Sequence, residues 1–142
     1  MSLQRSISPA TTISASSSSG SHSYLGTSNA PASLLVWTRR MNAITPPESF
    51  TPQGCAAALP AVSVGAGAVW MHVYNEVTTR NGRYVQGGGC LTVGVAGLVQ
   101  GGGYGSFSRQ YGTAAASLLE AEIVTADGAV RIANACINPD LF

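Results

Sequence analysis

Apolar positions along this chain fall into short blocks, not into one long periodic run. Residues 1 to 21, MSLQRSISPATTISASSSSGS, show no apolar period. Such a Ser/Thr-rich stretch cannot bury enough surface to offset its ordering entropy, so residues 1–19 read as a disordered tail. From Ser33 the pattern changes. Leu34 to Trp37 is a β-type run, Ile44 to Phe50 reads as a modest strand around Pro46-Pro47, and Ala61 to Val64 reads as another. Gly65 and Gly67 close that strand, after which Val69, His72, Val73, Glu76 and Val77 recur at helical spacing and predict a helix of about three turns. Further on, Leu118 to Thr125 alternates as a strand, Asp127-Gly128 is a two-residue hairpin signal, and Ala129 to Ala133 returns. Asn138-Pro139-Asp140 then supplies a cap residue, a proline at the first helical position and an acid in the first turn, the start of a helix. The sequence stops at Phe142, where a helix would have met its nucleation penalty without propagating, so it reads as a fragment.

The stretch Val85 to Arg109, VQGGGCLTVGVAGLVQGGGYGSFSR, breaks this pattern. It sets Gly87–Gly89 and Gly101–Gly103 around the lone Cys90. Glycine reaches positive φ freely and lets backbone N–H groups approach a neighbour, but it loses more entropy on folding than any other residue. A flexible linker or a series of tight turns would also be glycine-rich. The apolar stretch Leu91 to Val99 between the runs argues instead for a loop wrapped around a large planar or anionic ligand. Neither glycine run ends in Gly-Lys-Ser/Thr, which excludes a P-loop, and Trp70 stands where the third glycine of a dinucleotide fingerprint would follow Gly65 and Gly67.

Composition narrows the picture. The chain has 142 residues and is 45% hydrophobic, enough for one domain with a core. Its formal charge is +1, with basic residues scattered, so no nucleic-acid footprint is present. Charged residues make up only 9%, well below the ~25% of an ordinary soluble domain, which points to a surface partly covered by a cofactor or by further protein. No apolar run approaches the ~20 residues that span a bilayer, so no membrane partner is expected. The N-terminal stretch lacks the apolar core of a secretory signal and, with Arg5 and no acids, faintly resembles a transit peptide. Cys55, Cys90 and Cys136 lie far apart without a C-x-x-C spacing, so neither a metal site nor a disulfide framework is expected, and Cys55 and Cys136 read as inert buried thiols.

Five pieces in order, Ser21-His22-Ser23-Tyr24-Leu25-Gly26, Gly89 to Gly94, Gln100 to Gly105, Ser108 to Gly112 and Leu119 to Gly128, give the chain a resemblance to a known family. It resembles the berberine bridge enzyme-like FAD-linked oxidoreductases of the vanillyl-alcohol oxidase and p-cresol methylhydroxylase (PCMH-type) superfamily. The resemblance covers residues 20 to 142. It implies an α+β fold, a partial PCMH-type FAD-binding domain truncated at both ends, with a mixed or antiparallel sheet, flanking helices and glycine-rich cofactor loops. By the same resemblance His22 corresponds to the histidine joined to the flavin 8α-methyl and Cys90 to the cysteine joined to C6, side chains suited to attack on an electron-poor ring. Thr92, Val93, Gly94, Gly97, Gly101, Gly102, Gly103, Tyr104 and Gly105 complete the implied cofactor-binding set. Gly101–Gly103 would lie against flavin and pyrophosphate, where N–H dipoles favour negative charge. Val93 takes the place of the family's oxygen gate.

The parent enzyme implied oxidises an alcohol-type or carbohydrate substrate with O₂ as acceptor, and its relatives are often secreted. Two departures stand out: Gly20-Ser21 precedes the histidine where relatives place Gly-Gly or Thr-Gly, and Ala116 stands where many have Asp. The catalytic base and substrate residues would lie beyond Phe142, so little turnover is expected of these residues alone. Mid-helix His72 matches no family site. Rival readings are a relative that binds FAD without covalent bonds, and a non-catalytic glycine-rich β-domain or non-functional gene product.

Overall fold

A computed structural model describes residues 22–26 and 34–142. The expected tail at residues 1–19 and the Gly20-Ser21 pair lie outside the described residues. Two small antiparallel sheets, one before and one after the helices along the chain, make an α+β arrangement. Strands β1 (Glu48–Phe50) and β2 (Leu59–Ala61) form the first sheet, with Glu48 opposite Ala61. An isolated bridge, Ile44 to Val64, extends this pairing. Between the bridge and Glu48 the first segment takes one residue more than its partner, a bulge that falls at Pro46-Pro47. Proline has no N–H to give a ladder, so the expected strands at 44–50 and 61–64 are each broken into a bridge and a short strand. The expected strand at Leu34–Trp37 does not form: among the described residues no neighbour pairs with it, and all four side chains are exposed.

Helix α1 (Trp70–Tyr74) continues as a π-helical stretch, Asn75–Arg80, so the expected three turns are present but the second half is widened. Trp70, Val73 and Val77 face inward at helical spacing, while His72 is exposed. These three join Ala68, Val95 and Ala114 in the core cluster, with Tyr74, Val93 and Leu98 packed against it. Gly65 and Gly67 do more than end a strand: their N–H groups bond Ala43 O (2.8 Å) and Met41 O (2.7 Å), and a Cβ on either would run into the carbonyls of Met41 or Thr38. Two helices that the sequence did not reveal follow, α2 (Val95–Gln100) and α3 (Ser108–Tyr111). Both are too short to show a helical period.

The hairpin of β3 (Glu120–Val124) and β4 (Val130–Asn134) forms as expected, with Val124 opposite Val130. Its turn is longer by one residue than the two-residue reading: Ala126 to Gly128 lie between the bonded pair Thr125 and Ala129, with Gly128 at φ +79. The Asp-Gly signal thus marks a type I turn ending in a left-handed glycine. The chain ends in a 3-10 turn at Pro139–Leu141. Asn138 precedes it at φ 47 without capping, its side chain bonding Ile132 O at 2.7 Å instead.

The cysteine expectation is overturned. Cys55 and Cys136 form a disulfide with Cα atoms 5.7 Å apart, and Cys136 is exposed. Beside it, fully buried Asn134 gathers the join. Its Nδ2 donates to Gln53 O (3.0 Å) and Glu120 Oε2 (2.8 Å), and its Oδ1 accepts the N–H groups of Cys136 and Ile137, both at 2.7 Å. The N–H of Gln53 also donates to Glu120 Oε2 at 2.7 Å. This network brings the two cysteines together; with three cysteines and no spacing constraint, the sequence could not choose the pair.

Candidate cofactor site

The segment around Cys90 is positioned by the start of α1. A helix leaves its first N–H groups without partners inside the helix. Val69 offers no side-chain cap; instead Trp70 N–H bonds Val93 O (3.1 Å) and Met71 N–H bonds Leu91 O (2.9 Å). Val95 N–H answers to Ala68 O at 2.9 Å, and Val69 bridges Gly94. The 91–95 segment is thereby laid along the helix start, and α2 departs from Gly94.

The glycines divide into two groups. A Cβ at Gly87 would stand 2.5 Å from Trp70 Cε3 and from Tyr74 Oη, and one at Gly88 would stand 2.5 Å from Leu98 Cδ1. Gly103, at φ +66, lies against Leu98 and Ala114, and Gly105 lies against the carbonyl of Gly87. Gly87, Gly103 and Gly105 are required by the protein's own packing, while at Gly88 only the end of the Leu98 side chain stands in the way. At Gly89, Gly97 and Gly102 a Cβ would meet nothing within 4 Å, and Gly102 takes φ +88. Gly101 has only its own helix carbonyls nearby, the nearest at 3.5 Å. The open positions are where another molecule can approach bare backbone.

The remaining candidate side chains are exposed or half-buried. Cys90 is a free, exposed thiol, 3.7 Å from the Thr92 hydroxyl. Val93 is half-buried and packs on the core cluster; Gly94 is buried. Tyr104 is 80% exposed, so its ring is not held by the described fold. His22 is exposed in a short turn in which Gly26 N–H bonds Ser23 O, and its ring lies 6.0 Å from that of Tyr24. The described contacts of His22 are therefore local.

Sequence reasoning missed the polar groups that bind the two glycine runs. Gln86 is 4% exposed. Its Nε2 donates to Gly87 O (3.1 Å) and Ser108 Oγ (3.0 Å), and its Oε1 accepts the Tyr84 hydroxyl. Ser108 Oγ also accepts the Gly105 N–H at 2.9 Å. Tyr74, stacked on Trp70 at 5.4 Å, donates to Gly88 O. Burial, with Tyr84 nearby, holds the Tyr74 phenol above its ordinary value; desolvation and then Tyr111 do the same for Tyr84. Both phenols therefore remain donors at neutral pH. The signal was the repeated pentapeptide VQGGG at 85–89 and 99–103, whose glutamines part ways: Gln86 is buried and Gln100 exposed.

The sequence pattern of the FAD binding domain family matches residues 9–134. This chain belongs to that family. Over 123 residues it is 41% identical to the FAD-linked oxidoreductase phmC of Phaeosphaeria nodorum, a match that covers 85% of this chain and 28% of that protein. Over 122 residues it is 39% identical to the FAD-linked oxidoreductase OXR2 of Pyricularia oryzae, covering 85% of this chain and 21% of the relative. The chain thus spans less than a third of the length of these relatives. Among solved structures it resembles the VAO-type flavoprotein MtVAO615 of Myceliophthora thermophila, with a TM-score of 0.80 and 32% identity over 92% of this chain and 23% of that one. The α+β fold of the FAD binding domain, with small antiparallel sheets and helices, is the one expected. Among the described residues no helix is long and apolar enough to cross a membrane.

Proposed function

We propose that this FAD binding domain serves an oxidoreductase of the berberine bridge enzyme-like group, with FAD held covalently through His22 and Cys90. The observation that carries the reading is the set of open backbone faces at Gly89, Gly97 and Gly102 together with the exposed thiol of Cys90. A flat ring and a pyrophosphate can reach backbone at such positions without displacing a side chain. FAD, when bound, supplies the two-electron chemistry, and the protein supplies binding, orientation and electrostatics. Thr92 and Val93 border the thiol, Gly94 and Gly97 lie at and within α2, and Gly101 to Gly105 with Tyr104 follow its end. The substrate is an alcohol-type small molecule or carbohydrate, the electron acceptor is O₂, and Val93 governs access of O₂. The Cys55–Cys136 bond favours an oxidising compartment.

The test is an absorption spectrum of the purified protein before and after acid precipitation, with His22→Ala and Cys90→Ala alongside. Yellow colour that stays with the pellet, and is released only when both anchors are removed, is the expected result. Colour that passes to the supernatant from the unsubstituted protein would reduce the reading to non-covalent FAD, and a protein that takes up no FAD would overturn it. For the gate, Val93→Leu slows re-oxidation by O₂ in stopped-flow while leaving the acid-precipitation result unchanged.

A further inference from the structure

Gln86, Ser108 and Tyr84 form a device that none of the family features explains. A Cβ at Gly105 would stand 2.3 Å from the Gly87 carbonyl oxygen, so glycine alone is admitted where the segment just after the second run meets the first. Backbone contact of this kind sets a minimum distance but does not hold it, because no hydrogen bond runs directly between Gly87 and Gly105. The holding is done by side chains. Gln86 spends one N–H on the Gly87 carbonyl and the other on Ser108 Oγ, and Ser108 Oγ takes the Gly105 N–H. The path Gly87 O, Gln86 amide, Ser108 Oγ, Gly105 N–H crosses the seam entirely through hydrogen bonds. The Tyr84 hydroxyl satisfies the remaining acceptor of Gln86, and the Tyr84 ring is itself fixed between Phe107 (5.6 Å, edge-on) and Tyr111 (5.1 Å). Every polar atom of a buried amide is thus used, which fixes its orientation.

We infer that Gln86 and Ser108 are positioning residues that clasp the two glycine runs at one spacing, and so set the width of the cofactor cradle. This rests on the FAD reading above for its ligand, but not for its geometry. The second VQGGG copy supports the assignment: Gln100, at the equivalent place, is exposed, so the two runs have one clasp between them, supplied by the first. Ser108 begins α3, so the clasp also ties that helix to the seam.

The experiment compares Gln86→Leu, Ser108→Ala and Ser108→Thr in the protein as it exists, by amide hydrogen exchange and by FAD titration followed in the visible spectrum. Gln86→Leu and Ser108→Ala are expected to raise exchange at least tenfold at Gly87–Gly89 and Gly103–Gly105 together, with the β3–β4 hairpin unchanged. They should also weaken FAD binding at least tenfold and shift the flavin band. Ser108→Thr, which keeps the hydroxyl, should restore both readouts. Unchanged exchange in both glycine runs, or equal loss in the hairpin, would overturn the clasp. Should the unsubstituted protein bind no FAD, the FAD reading fails while the exchange result still decides the clasp. Loosened runs with wild-type FAD affinity and spectrum would overturn the claim that the clasp sets the cradle.

Discussion

Around Asn134 two parts of the fold meet because a side chain joins them; along the contact between Gly87 and Gly105 they can meet only because side chains are missing. At the first, a buried amide with four hydrogen-bond partners and a disulfide tie residues 53–55 to the hairpin. At the second, Gly87, Gly88, Gly103 and Gly105 are pressed against Trp70, Leu98, Ala114 and each other, while Gly89, Gly97 and Gly102 face open space. The difference teaches that a glycine-rich loop is not uniformly soft. Some of its glycines are as constrained as core residues, and only the others are available to a ligand.

The largest effect is expected at the disulfide. Replacing Cys55 and Cys136 together with Ser removes a cross-link between residues 81 apart, which a chain-entropy estimate puts at about 4 kcal/mol of stability. Urea unfolding against the parent protein would measure it, and hydrogen exchange at Gly87–Gly105 should stay unchanged if the two regions are independent. Asn134→Ala comes next, at about 3 kcal/mol, because it removes a fully buried amide with four hydrogen-bond partners and leaves the half-buried N–H groups of Cys136 and Ile137 without their acceptor. A loss under about 1 kcal/mol would show that water replaces the amide and that the network matters less than the disulfide.

On the glycine side the same substitution should give opposite results at two places. Gly87→Ala drives a methyl group into the Trp70–Tyr74 stack and should cost about 2 kcal/mol by overpacking. Gly97→Ala lies inside α2 with open space around it and should stabilise by up to about 1 kcal/mol through helix propensity. In the same variant FAD affinity should fall if the proposed contact of FAD with that open face holds. Paired thermal melts and FAD titrations test this, and equal melting shifts at the two sites would end the distinction between packed and open glycines.

The smallest effect is a pH dependence in the hairpin turn. Hydrogen bonds from the Thr125 hydroxyl, the Ala129 N–H and Arg131 hold the Asp127 carboxyl below its ordinary value of 3.8. A depressed folded-state value means that the carboxylate's contribution is fully present above the unfolded value and fades as pH falls through the folded one. Stability should therefore show a shallow loss below pH 3.8 that Asp127→Asn abolishes. Melting curves of both proteins across that range would reveal it.

The parts legible in the sequence were those fixed by local rules. Asp127-Gly128 announced its hairpin because only a few residues tolerate a left-handed turn position, and Val69 to Val77 announced a helix because burial on one side imposes a period. What stayed hidden depends on neighbours distant in the chain. Nothing near Cys55 points to Cys136, and the expected strand at Leu34–Trp37 has the right composition without a pairing partner among the described residues. The candidate site was legible as a glycine-rich loop around Cys90. Its division into packed and open glycines was not, because that follows from where Trp70, Leu98 and Gly105 arrive in space. Gln86 went unread since a single polar residue before three glycines looks the same whether it is buried or, like Gln100, exposed.

Both glycine runs, the thiol of Cys90, the clasp and the three α-helices of the described residues lie between Cys55 and Cys136, so the disulfide encloses all of the candidate site except His22 in a covalent ring. A protease that cuts anywhere between these two cysteines opens the ring without splitting the molecule. Under oxidising conditions a nicked copy would keep both strands of the cradle on one particle, and only a reductant would let the halves part.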